Sequence, residues 1–134
     1  MTDTIDRAMT GLLVSFGVGQ LVLGMLLWLF PGTFFEHIGP YGARNDHYMG
    51  DLATFYLALG AVVLAAWRKP AWRVPVLAFA LLQYALHSVN HLVDVGKADP
   101  GWLGPANLIS LVLTVGALGW ALSVSSRAQP EVGR

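Results

Sequence analysis

The sequence predicts an all-α fold, an integral membrane four-helix up-down bundle. Three observations lead there. Hydrophobic residues make up 55% of the 134 and charged residues only 12%, about half the charged share of a soluble domain. The apolar residues fall into four runs, each close to the roughly 20 residues that cross a bilayer as a helix. Most links between runs are short, which makes successive helices antiparallel neighbours. A single domain, residues 1–134, is expected.

The first run, residues 10–30, carries no charge and stops at Pro31-Gly32. Arg7 precedes it as in a secretory signal, but the run is too long for such a segment and no small-x-small cleavage site follows, so a retained span is expected. The second, residues 47–67, holds one charged side chain, Asp51, and is stopped by Arg68-Lys69-Pro70. The third, residues 72–95, ends at Gly96, a natural helix C-cap. The fourth, residues 102–126, is uncharged. Trp67, Trp72 and Trp102 stand at run ends, where aromatic residues anchor spans at the membrane interface. Residues 31–46 form the longest connection, and Phe34, Phe35 and Tyr41 predict a loop lying on the membrane or over the bundle mouth. Asn45-Asp46 and Asp99-Pro100 read as turn formers or helix N-caps.

Packing faces are expected where small residues recur: Gly50, Thr54 and Ala58, then Ala61 and Ala65, in the second run, and Ala117, Ala121 and Ser125 in the fourth. Small residues let helices approach in lipid, within one bundle or across a homo-oligomer. Four spans put Arg7, Arg68, Lys69, Arg73, Arg127 and Arg134 on one side and only Arg44 and Lys97 on the other. The positive-inside rule then predicts a multi-pass protein of the inner (plasma) membrane with N- and C-termini cytoplasmic.

Composition narrows the chemistry. The chain has no cysteine, which removes thiolate ligands, iron–sulfur clusters and cysteine nucleophiles. Eight basic and eight acidic residues cancel, so nothing attracts nucleic acid. No HExxH, phosphate-binding glycine loop or G-x-S-x-G is present.

The third run carries the informative pattern. Gln83, His87, Asn90, His91 and Asp94 fall on one helical stripe at 100° per residue. Polar groups on a span are expensive against lipid, so the stripe is expected to face the bundle interior. The second run offers His47, Asp51 and Thr54, and Asn107 opens the fourth. Counting helical rise from the outer boundary places these groups together in the outer half of the bilayer, with Gln20 nearer the midplane.

Several functions fit such a cluster. In a pocket for a small amphipathic ligand such as a quinone, sterol or lipid-like molecule, Asp51 would orient His87 or His91 as the proton-active pair. Gln83, Asn90, Asp94, Asn107, His47 and Thr54 would line the pocket, with catalysis left open. In a site for a transition metal ion or haem, His87, His91, Asp51 and His47 would be the ligands. Proton-coupled transport is a further reading, as is an accessory subunit of a membrane complex whose stripe meets a partner helix. The plainest alternative is that the polar groups only tie helices together. Besides membrane lipid, possible partners are an amphipathic ligand, a second copy or a larger complex.

The hydropathy pattern and the stretch PGTFFEHIGPYG after the first run resemble the DoxX-like group of small four-helix bacterial membrane proteins. That resemblance implies four spans, an outward loop after the first, and a link to quinone-coupled oxidation. A four-helix sterol-isomerase-like fold is a second relative in form, also placing acidic and histidine side chains inside a bundle. Here only Asp51 is a well-placed carboxylate.

Overall fold

The structure is a computed structural model and describes residues 3–128. Four long helices make the body: α1, Asp3–Leu29; α3, Asp46–Arg68; α4, Arg73–Val93; and α5, Leu103–Ala128. A short helix α2, Pro31–His37, lies between α1 and α3, and a single 3-10 turn, Pro70–Trp72, leads into α4. All four long helices are long and apolar enough to cross a membrane. The chain is thus a multi-pass, all-α bundle.

The bundle is two tight pairs joined loosely. α1 packs along α3 and α4 along α5, while α3 touches α4 less and α1 barely meets α5. The α1–α3 approach depends on glycine. A Cβ on Gly60 would sit 2.8 Å from the Gly17 carbonyl oxygen, and one on Gly17 or Gly24 would meet Leu64 or Leu57 at 2.8 or 2.7 Å. The glycine faces therefore replace the expected small-residue face of the second run. Thr54, Ala58 and Ala61 are exposed, Gly50 has open space around it, and α3 buries Ala53, Tyr56, Gly60, Val63 and Ala66 instead. On α5, Ala121 and Ser125 are buried as expected, while Ala117 is exposed. Met9, Leu13, Leu59, Val63, Leu77, Ala80 and Leu118 close the main core.

The helix ends differ from the sequence expectation for physical reasons. α1 begins at Asp3, seven residues before the apolar run, with Asp3 and Asp6 in its first turn, where negative charge offsets the helix dipole. Pro31 ends α1 but also occupies the first turn of α2, a position where its missing N–H is no loss. Asn45 caps α3 by accepting a hydrogen bond from the Tyr48 N–H at 3.2 Å. α4 stops at Val93, and Asp94 is its C-cap, with its backbone N–H on the Asn90 carbonyl.

The two ends of the bundle are held differently. At the α2 end, Arg44 reaches Asp46 through two hydrogen bonds of 2.6 and 2.9 Å. Its guanidinium lies over Gly32, where a Cβ would stand 2.9 Å from it. Gly42 takes φ 65°, the left-handed region open to glycine. Tyr41 and Ala98 form an isolated antiparallel bridge between the two connections. At the opposite end, the Arg73 guanidinium donates to the Ala66 and Trp67 carbonyls at 3.4 and 3.3 Å, satisfying groups that the end of α3 leaves open.

Candidate ligand pocket at the α2 end

The buried face of α4 decides what the site contains. Val76, Leu77, Ala80 and Tyr84 are buried, and the same face continues toward the α2 end as His87 and His91. Positions 84, 87 and 91 centre about 50° around the helix from the expected stripe, at 100° per residue. Gln83 and Asn90 therefore fall on its flank. Tyr84 lies only about 20° around the helix from His91, but it reads as an apolar aromatic and so gives no polar signal.

Tyr84, His87 and His91 line a cavity of about 440 Å³. α1 contributes Ser15, Phe16, Gly19, Gln20 and Leu23, and α3 contributes Leu52 and Tyr56. Phe34, Ile38, Gly39 and Tyr41 come from α2 and the segment after it, and Asn107, Ser110, Leu111 and Thr114 from α5. Phe34 and Tyr41, two of the three aromatic residues of the long connection, thus line the cavity at the α2 end.

Polar groups run through the cavity as a ladder. Gln20 Nε2 donates to the Tyr84 hydroxyl at 2.7 Å, and both residues are buried. Tyr84 also stacks edge-on against Phe16 at 5.3 Å between ring centroids. The His87 ring is 6.5 Å from Tyr84 and 4.7 Å from His91. His91 Nδ1 shares a hydrogen bond with the Tyr41 hydroxyl at 3.2 Å. Asn107 Nδ2 donates to the Ile38 carbonyl at 2.7 Å and to the Tyr41 hydroxyl at 3.4 Å. His91 is thus oriented by Tyr41, and Asn107 ties α5 to the mouth.

Of the expected site residues, His87, His91 and Asn107 meet in the cavity and the others do not. Asp51 and His47 pair with each other at 3.7 Å, with side chains 67% and 82% exposed. Thr54 is exposed and donates to the Asp51 carbonyl at 2.7 Å. Asn90 is exposed, and Asp94 accepts from Lys97 at 2.7 Å. Gln83 lies outside the lining, with its Oε1 buried and unpartnered.

Asp51 departs from expectation in facing: its side chain pairs with His47 on the exposed side of α3, outside the cavity lining. It therefore orients neither imidazole. Among the described residues, no three His, Asp or Glu side chains converge to hold a metal ion. The quartet His87, His91, Asp51 and His47 is split between the cavity and the exposed side of α3.

Fold and cavity together define a multi-pass helical membrane bundle with a polar-lined cleft between α1 and α5 at the α2 end. No family model, curated protein or solved structure matches the chain.

Proposed function

We propose that the protein binds a small amphipathic molecule, with a quinone-like ring as its head group, in the cleft at the α2 end. One observation carries this reading. His87, the Tyr84 hydroxyl and the His91–Tyr41–Asn107 set share one cavity of about 440 Å³ whose remaining walls are mainly aromatic and aliphatic, with Gln20, Ser15, Ser110 and Thr114 among them. A few convergent polar groups in an apolar cavity are the usual form of a small-molecule site. Phe16, Phe34 and Tyr56 offer ring faces, which favours a flat head group.

Each side chain has a role in this reading. Among the described residues His87 has no hydrogen-bond partner, and its ring can donate to, or accept from, a ring oxygen. Such an imidazole can also exchange a proton with the bound ring. Tyr41 holds His91, and the Gln20 amide fixes the Tyr84 hydroxyl. The resemblance of residues 31–42 to the DoxX-like group agrees with a quinone. The basic residues favour an inner-membrane protein with both chain ends in the cytoplasm, which puts the cleft in the outer half of the bilayer.

Thermal unfolding of the detergent-purified protein tests the proposal. A decyl-tailed benzoquinone should raise the Tm of the wild type by several degrees, and His87→Ala should abolish that rise while the ligand-free variant still unfolds cooperatively. No rise in the wild type, or an equal rise in His87→Ala, rejects the assignment.

A further inference from the structure

The polar cavity does not end at Gln20. Ser15 and Phe16 of α1 and Thr114 of α5 also line a second, adjoining groove of about 240 Å³, completed by Leu12, Ala117 and Leu118. The two spaces share these three residues and so adjoin along the α1–α5 seam, which runs from Tyr41 down to Leu118. From Asn107 to Leu118 the seam runs eleven residues, about 16 Å of helix. Its character changes along the way, with imidazole, amide and phenol groups above Gln20 and almost only hydrocarbon below Thr114. The two polar side chains at the junction are turned to their own helices. Ser15 Oγ donates to the Leu12 carbonyl at 3.2 Å, and Thr114 Oγ1 to the Ser110 carbonyl at 2.8 Å. The junction thus presents methyl and methylene surface.

We infer that the cleft takes a single-tailed amphiphile, whose ring sits among His87, Tyr84 and His91 and whose one chain descends between Leu12, Ala117 and Leu118. At roughly 30 Å³ for a water-sized group, 240 Å³ holds about eight chain atoms. That matches the cross-section of one alkyl or isoprenoid chain lying in the groove. The inference rests on the proposed head-group site and adds the substrate class and the route of the tail.

Ala117→Phe tests it, because Ala117 is exposed on the groove wall and a larger side chain there fills the groove without invading the core. Dissociation constants are measured for a decyl-tailed benzoquinone and for the same ring without its tail, in wild type and variant, in the same micelles. Each variant-to-wild-type ratio then cancels partitioning of the probe into detergent. The tailed probe should weaken about tenfold, the scale of an overpacked contact, while the tail-less ring keeps its affinity. Val62→Phe, placed in the separate groove of about 360 Å³ between α3 and α4, should leave both ratios near one. Equal weakening of both probes by Ala117→Phe, no weakening of either, or selective loss of the tailed probe in Val62→Phe would each overturn the tail route. Failure of both probes to bind the wild type removes the head-group site itself.

Discussion

At the scale of single residues, the hydrogen bond from Gln20 to Tyr84 joins α1 to α4 in the middle of the bundle. Gln20 is 3% exposed, and its Oε1 has no partner, so its hold on the fold depends on that one bond. The two ends of the bond are not equivalent. Both side chains border the cavity, but the amide brings two polar atoms to the phenol's one, and its Oε1 is already without a partner. Tyr84→Phe leaves a buried amide unpaired, which costs about 1–3 kcal/mol. Gln20→Leu removes the amide together with its need, and the loss should approach the roughly 0.6 kcal/mol average of an interhelical hydrogen bond in a membrane. Unfolding in mixed micelles should therefore rank Tyr84→Phe as more damaging than Gln20→Leu, with the double variant close to Gln20→Leu. The reverse ranking would mean that the phenol, not the amide, is the group in need. The pair illustrates the limit of sequence reading at this scale. Two isolated polar residues on different spans, sixty-four positions apart, give no periodic signal, while His87 and His91 on one helix do.

Among the elements, the sequence supports the existence of spans better than their facing. Four apolar runs became four long helices because length and hydropathy depend on composition alone. Facing depends on neighbours. The five-residue stripe of α4 correctly placed polarity on that helix, but α4 turned to bury Ala80 and Tyr84, and Asn90 was left outside. Likewise, small residues every four positions on α3 suggested a packing face, while the backbone-to-backbone approach chose Gly60 against Gly17. Glycine positions now discriminate sharply. At Gly104, which is buried, a Cβ would collide with the Val95 carbonyl oxygen, a backbone atom with nowhere to move. At Gly17 it would meet the Leu64 side chain, which can shift rotamer. Gly104→Ala should destabilise by about 3 kcal/mol, the upper range for overpacking, and Gly17→Ala by about 1 kcal/mol. Denaturant midpoints of the two variants check the order, and a neutral Gly104→Ala would mean that the connection before α5 yields easily.

For the whole molecule, the two-pair architecture links the cleft to the direction in which the protein is inserted. Because α1 and α5 barely meet, the cleft lies in a seam and its polar part at the α2 end, so the side of the membrane that end faces decides where a head group is read. The cations at the two ends are held in different ways. Arg44 and Lys97, at the α2 end, each pair with a neighbouring carboxylate, Asp46 and Asp94. At the opposite end Arg68 and Lys69 stack on Trp67 and Trp72, and Arg73 bonds to backbone carbonyls. Arg7 and Arg127 join them at that end, so the larger number of Lys and Arg, which is what governs orientation, favours retaining it in the cytoplasm. A chain without cysteine makes this directly measurable, since each introduced thiol is unique. Ala71→Cys marks the turn before α4, and Gly101→Cys marks the exposed link before α5, where a side chain meets open space. On intact spheroplasts a membrane-impermeant maleimide should label Gly101→Cys at once and Ala71→Cys only after permeabilisation. The opposite pattern would place the histidine pair on the cytoplasmic side, and any proton exchanged at His87 would then come from the cytoplasm.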